Sequence, residues 1–294
     1  MGSGYYDNTR YSTFSSTIAS RSREEVFSRR NGKPEFLPNN IKIREALDNE
    51  DHPESNAIAI GVDVTGSMGY LADSIVKGQL GTLMTELINR EPVKDPQVCF
   101  MAIGDIVSDK CPLQITQFES DDRIADQITE LWLEGNGGGN GSESYIFPWL
   151  FALNSIKADC IEKRNKKGYI ITMGDEQCPS YLYKSDLSKH LDMPPIEGDS
   201  ISAQDLYRAV SEKYNVFHLI IEEGSYCKLK GKSFVLNSWN NIIGKRAIPV
   251  RSHKYLSEII VSLIQINEGM DPEDVICSWE DSDVVSDLRY AFGL

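Results

Sequence analysis

Three short apolar runs in this chain each break off at a carboxylate. Residues 57–62 (AIAIGV) run into Asp63, 97–104 (QVCFMAIG) into Asp105, and 168–174 (GYIITMG) into Asp175. Runs of this length without alternation fit strands buried on both faces. A fourth run, 215–221 (NVFHLII), has the same character. Between them lie segments with helical spacing. Residues 70–90 place Leu71, Ile75, Leu80, Leu83, Met84, Leu87 and Ile88 on one stripe. Asp121 stands before a segment carrying Ile124, Ile128, Leu131 and Trp132. Further helices are expected from about 145 to 161, over 202–214 and over 254–266. Residues 113–118 read as a short alternating strand at an edge. Apolar strands alternating with amphipathic helices predict an α/β fold, doubly wound, with a mainly parallel central sheet flanked by helices. Such sheets place their sites outside the carboxyl ends of the strands, so Asp63, Asp105 and Asp175 should share one rim.

The predicted organisation has three parts: an amino-terminal arm over 1–50, an α/β domain over 51–270 and a tail over 271–294 with a short helix near 283–290. Residues 4–30 are rich in Ser, Tyr, Thr, Asn and Arg, and their apolar periodicity is weak. They read as extended or partly disordered, with one short helix at 22–30 and the capacity to wrap the domain. Residues 177–200 read as an insertion over one face.

The bulk composition excludes several classes. A net charge of −14 repels phosphate backbones and argues against nucleic-acid binding. No run approaches the length needed to span a bilayer, and residues 1–10 lack the apolar core of a signal peptide, so the expectation is a cytoplasmic protein. The six cysteines form no CxxC pair and read as free thiols. The four histidines are scattered, which argues against zinc.

The loop after the first strand reads Asp63-Val64-Thr65-Gly66-Ser67-Met68-Gly69. Two hydroxyls and a carboxylate at alternate positions of a tight turn can face one point. Hydroxyl oxygens bind a hard cation directly, and the carboxylate can act through a water in its shell. That oxygen set favours Mg²⁺, with Mn²⁺ or Ca²⁺ as alternatives. Thr65 or Ser67 could equally cap the helix that follows, and the two roles are compatible.

This loop resembles the DxSxS motif of von Willebrand factor A domains, with Thr65 in the middle place. The resemblance extends over about residues 57–266. Strand-end Asp105 and the loop Gly137-Gly138-Gly139-Asn140-Gly141-Ser142-Glu143 are similar to a subclass with a GGGDxPE loop. It implies a metal-ion-dependent adhesion site (MIDAS) with Asp63, Thr65 and Ser67 as ligands. Asn140 would stand in the place of the family's next ligand, with Ser142 as the neighbouring candidate. The family's last ligand, an Asp directly after a strand-end Thr, has no strict match: Met173 holds that place after Thr172. Asp175 arrives two residues later, and either it or Glu176 would complete the site. Asp105 would add an outer contact. The resemblance further implies a binding module rather than an enzyme. In such a module the ion accepts an Asp or Glu from a partner protein, with a MoxR-type AAA+ ATPase or a multiprotein assembly among the family's usual partners. Two other readings compete. One is a Mg²⁺-dependent phosphotransfer enzyme of haloacid-dehalogenase-like type, but Thr65 stands where that chemistry needs a second Asp. The other is a structural assembly component whose metal only stabilises the fold.

Trp132, Phe147, Trp149 and Phe151 read as core rather than a stacking platform, and His218 as a hydrogen-bonded core histidine. The KLKGK stretch at 228–232 reads as a solvated turn. Tyr181 and Tyr183 lie in the insertion, open to packing or partner contact.

Overall fold

The computed structural model describes residues 4–66, 68–135 and 143–294. A six-stranded sheet forms the centre. Its strands are β1 (Asn56–Asp63), β2 (Pro96–Ile103), β3 (Leu113–Ile115), β4 (Gly168–Gly174), β5 (Tyr214–Ile221) and β6 (Ala247–Val250). The order across the sheet is β6-β5-β4-β1-β2-β3, and every pairing is parallel except β2 with β3. The winding reverses direction between β1 and β4, which leaves a crevice at their carboxyl ends. This is the doubly wound α/β architecture expected from the strand and helix pattern.

Alternate side chains on the strands feed two separate cores. Ile58, Ile60 and Val62 of β1 join Tyr169, Ile171 and Met173 of β4 on one face. Ala57 and Ala59 join Ile170 and Val216 on the other. Strands buried on both faces have no polar side to alternate with, which explains the unbroken apolar runs.

The first face is covered by helix α2, which begins as Gly69–Ser74, passes through a π turn at Ile75–Gln79 and continues as Leu80–Arg90. Helices α7 (Leu256–Asn267) and α8 (Ser282–Phe292) pack on the same face. The opposite face carries α4 (Phe147–Ser155), α5 (Ala203–Ser211) and α6 (Lys232–Ile243). Helix α3 (Arg123–Thr129) follows the antiparallel edge strand, and Asp121 Oδ1 accepts from the Arg123 amide at 3.0 Å. The helix expected to run to 161 stops at Ser155. There the chain turns into Ile156–Ala158, which pairs with Arg44–Ala46 as a small parallel ribbon.

The arm departs from the extended reading. Helix α1 (Asn8–Ile18) forms with Asp7 as its cap, and a second short helix, Arg23–Val26, is closed by a capping box between Ser22 and Glu25. Tyr11, Ile18, Val26, Phe27 and Phe36 are buried in the first core. The Tyr11 hydroxyl donates to the Val76 carbonyl at 2.8 Å, inside the π turn of α2. A π turn leaves a carbonyl displaced from the regular ladder, and the arm satisfies one. The tail also holds more helix than expected, with Pro272–Cys277 preceding α8.

The stretch 228–232 is exposed, as expected, but its turn is confined to Gly231 between two helices. Lys228 and Lys230 end the helix Ser225–Lys230, Gly231 breaks at φ 89°, and Lys232 starts α6. In the insertion, Tyr181–Tyr183 pairs antiparallel with Ser200–Ser202, leaving both tyrosines about half exposed. Among the described residues no helix is long and apolar enough to cross a membrane.

Candidate functional site

Asp63 is the last residue of β1 and is fully buried. Among the described residues its carboxylate has three donors. Oδ1 accepts from the Thr65 amide at 2.9 Å and from the Thr65 hydroxyl at 2.6 Å. Oδ2 accepts from the Tyr145 hydroxyl at 2.6 Å. Because Thr65 spends its one proton on Asp63, its oxygen faces other groups as an acceptor, and no donor to it is present among the described residues. Burial pushes the Asp63 carboxyl up to about 6, against the pull of these hydrogen bonds, and the nearby Asp175 charge adds to the rise.

Asp175 follows directly on β4. The strand runs on through Gly174, with Met173 level with Val62 of β1, so the carboxylate comes after two further residues rather than at the end of a shorter strand. Its Oδ2 accepts from the Tyr226 amide at 2.7 Å, in the first turn of the helix Ser225–Lys230. Its Oδ1 is buried and has no hydrogen-bond partner among the described residues. Burial raises the Asp175 carboxyl. Two glycines make this arrangement possible. A Cβ on Gly224 would overlap the Asp175 side chain, and one on Gly174 would overlap the Tyr145 ring.

Two more carboxylates complete the rim. Glu143 is 2 % exposed, and its Oε2 has no partner among the described residues. Burial, then the charges of Asp63 and Glu176, push it up to about 10. Glu176 also has an unpartnered buried oxygen, and burial with the charges of Asp63 and Asp175 pushes it up to about 7. Asp105 is buried on the same rim and secures its own loop, accepting from the Val107 amide at 3.1 Å and the Ser108 hydroxyl at 2.8 Å. Its charge contributes to raising Glu143 and Glu176. Among the described residues, no Lys or Arg forms an ion pair with Asp63, Asp175, Glu143 or Glu176. Clustered buried anions without a cationic partner must bind protons or a cation.

Of the residues expected at the site, Asp63, Thr65 and Asp175 come together at the crevice between β1 and β4. Ser67 and Asn140, together with Ser142, lie outside the described residues. Among the described residues no ready-made cage of three or more His, Cys, Asp or Glu is present. The donor set found is oxygen only, which suits a hard cation. The sequence places Glu143 at the close of the glycine-rich loop without assigning it a role, and it gives no local sign of Tyr145, which reaches Asp63 through the return of the chain into α4.

The packing below the site is aromatic. His218 stacks on Trp239 at 3.6 Å with the planes 9° apart, and Tyr145 meets both rings. Thr172 Oγ1 lies 2.8 Å from His218 Nδ1. Burial pushes His218 well below the usual histidine range. It is the hydrogen-bonded core histidine expected from its strand. Phe147, Trp149 and Phe151 are buried as expected. Tyr145→Phe removes one charge-assisted hydrogen bond from a buried carboxylate. It should cost about 2 kcal/mol of stability at pH 8 without divalent metal, read from urea unfolding.

No family model matches the chain, and no curated protein matches it. Among solved structures, the pilus adhesin SpaC from Lactobacillus rhamnosus GG in its open conformation is 10% identical. That match covers 79% of this chain and 31% of the adhesin, with a TM-score of 0.48. The chain thus spans about a third of that adhesin's length. Proximal thread matrix protein 1 of the mussel byssus is 12% identical over 72% of this chain and 47% of its own, with a TM-score of 0.37. An aerotolerance-related membrane protein from Bacteroides fragilis is 12% identical over 72% of this chain and 99% of its own, also with a TM-score of 0.37.

Proposed function

We propose that this chain is a von Willebrand factor A-like binding module in which a divalent cation, Mg²⁺ by preference, joins the protein to a carboxylate of a partner protein. The observation that carries the reading is the pair Asp63 and Asp175. They stand at the carboxyl ends of adjacent central strands, fully buried, with raised carboxyls and no cationic partner among the described residues. Thr65 with its acceptor oxygen, and Ser67 and Asn140 from the motif resemblance, would hold the ion together with the two aspartates. Glu143 and Glu176 border it with unpartnered oxygens.

When bound, the cation supplies an electrophilic position for an incoming Asp or Glu. The residues of this chain do the rest. The Tyr145 hydroxyl and the Thr65 amide fix the Asp63 carboxylate in place. The Tyr226 amide orients Asp175 and leaves its second oxygen free. The depth of the crevice keeps bulk water from screening the charges. The position two residues beyond Asp63 holds Thr65, which cannot act as an acid–base carboxylate, so a binding role suits the loop better than phosphotransfer.

A random-peptide display selection on the immobilised chain in Mg²⁺, eluted with EDTA, tests this. The selected peptides should share an Asp or Glu whose replacement by Asn or Gln removes binding. Peptides that lack any shared carboxylate, or that stay bound in EDTA, would sink the proposal.

A further inference from the structure

The arm places two arginines beside the loop that follows β1. A cavity of about 160 Å³ is lined by Val64, Thr65, Gly66 and Gly69 of that loop and by Arg23, Glu24, Phe27 and Arg30 of the arm. A Cβ on Gly69 would lie 2.9 Å from Arg23 Nη1, so the guanidinium rests against the first residue of α2. Buried Val26 and Phe27 hold this part of the arm in the core, and Lys77 Nζ donates to the Arg21 carbonyl at 2.8 Å. Among the described residues, neither arginine pairs with a carboxylate beyond its immediate sequence neighbour. Arg23 meets only its neighbour Glu24, at 3.5 Å, and that carboxylate is largely exposed. Arg30 forms no ion pair among the described residues and donates only to the Arg29 carbonyl at 3.3 Å. On a chain with a net charge of −14, two guanidinium groups beside this loop, one paired only with the exposed Glu24 and one without an ion pair among the described residues, are a local concentration of positive charge.

The volume limits what fits. The cavity has room for roughly five waters, at about 30 Å³ each. It is smaller than the pockets that enclose whole small-molecule ligands, which run from about 300 Å³ upward. A single acidic side chain fills it. We infer that this cavity takes a second carboxylate of the same acidic partner segment, with Arg23 and Arg30 as the residues that select a segment carrying more than one Asp or Glu. The inference rests on the proposed metal-dependent binding for the first carboxylate. A guanidinium pairs with a carboxylate through a planar two-point contact, which makes it selective for that group over an amide.

The test uses the full chain in millimolar Mg²⁺ and fluorescence anisotropy of three labelled hexapeptides: all Glu, one Glu among five Gln, and all Gln. Wild type should prefer the hexaglutamate over the single-Glu peptide by about tenfold, the weight of one charge-assisted contact. The double variant Arg23→Gln/Arg30→Gln should bind these two peptides equally while keeping the Mg²⁺-induced rise in melting temperature. Arg23→Lys/Arg30→Lys should restore only part of the preference, because lysine retains the charge without the planar fork. Equal binding of the two peptides by wild type, or a preference unchanged in the double Gln variant, overturns the assignment. Displacement of hexaglutamate by inorganic phosphate at equal concentration also overturns it, in favour of a general oxyanion site. If wild type shows no Mg²⁺-induced shift but keeps an arginine-dependent preference in EDTA, the metal reading fails and the arginine cavity stands.

Discussion

Asp63→Asn should make the metal-free protein more stable at pH 8 and abolish its response to Mg²⁺. Burial raises the Asp63 carboxyl from 3.8 to about 6. Holding it ionised at pH 8 therefore costs the fold roughly 3 kcal/mol. Asparagine has nearly the same shape and cannot ionise. Its carbonyl still accepts from the Thr65 amide and hydroxyl, while its NH₂ can donate to the Tyr145 oxygen. Exchanging a charged acceptor for a neutral one gives back about 1 kcal/mol. The net gain of about 2 kcal/mol corresponds to a rise of a few degrees in melting temperature for a chain of this size. Wild type should gain stability from Mg²⁺ in proportion to the logarithm of its concentration above Kd, reaching about 2.7 kcal/mol at a hundredfold excess over Kd. The variant should gain nothing. Thermal unfolding of both proteins in EDTA and in a Mg²⁺ series reads both effects. A variant less stable than wild type in EDTA at pH 8 would show that Asp63 is primarily a structural acceptor.

The second large effect is a dependence on pH that Mg²⁺ erases. Glu143 is raised from 4.5 to about 10, so between those values the folded chain holds a proton that the unfolded chain has released. Stability from such a group is fully present below the unfolded value and is lost as pH rises through the folded one. Between pH 7 and 8.5 the metal-free protein should lose on the order of 1 kcal/mol per pH unit. Glu176, raised to about 7, adds to the fall at the lower end of this window. The window avoids opposing groups. His190 and His218 are depressed, and they weaken the fold only as pH drops below the ordinary histidine value. The raised thiols act in the same direction as Glu143, but only as pH approaches their unfolded value of 9.0. Glu143→Gln should flatten the profile. A bound cation replaces the proton, so stabilisation by Mg²⁺ should grow with pH. Urea unfolding across this window checks the sign, and a profile that is flat or rising in EDTA would contradict the account.

The strands β1, β2, β4 and β5 were legible because burial on both faces leaves a continuous apolar signature that little else in a chain of this composition produces. Helix α2 was legible from its stripe, but its π turn at Ile75–Gln79 was not, since one extra residue in a turn leaves the stripe almost intact. Strand β6 and helix α6 went unread. The strand has four residues, one of them Pro249, and only its pairing with β5 makes it a strand. The arm was hardest. Ser and Thr weaken helix propensity throughout residues 8–18, and α1 forms because Tyr11 and Ile18 reach the core. Its one local signal was the Asp7 cap. At the site, Asp63, Thr65 and Asp175 could be read because strand ends in a doubly wound sheet converge on a known edge. Tyr145 and the two arginines could not, since their approach to Asp63 or its loop depends on how distant segments fold back.

The central claim is that one divalent cation binds at the rim formed by Asp63, Thr65 and Asp175. The direct measurement is a Mn²⁺ titration at pH 8, following the free-ion electron paramagnetic resonance signal as the chain is added. The account predicts that wild type removes one Mn²⁺ per chain from solution, that Mg²⁺ competes for it, and that Asp63→Asn removes none. Undiminished free-ion signal with wild type at millimolar Mn²⁺, or equal uptake by Asp63→Asn, would contradict it.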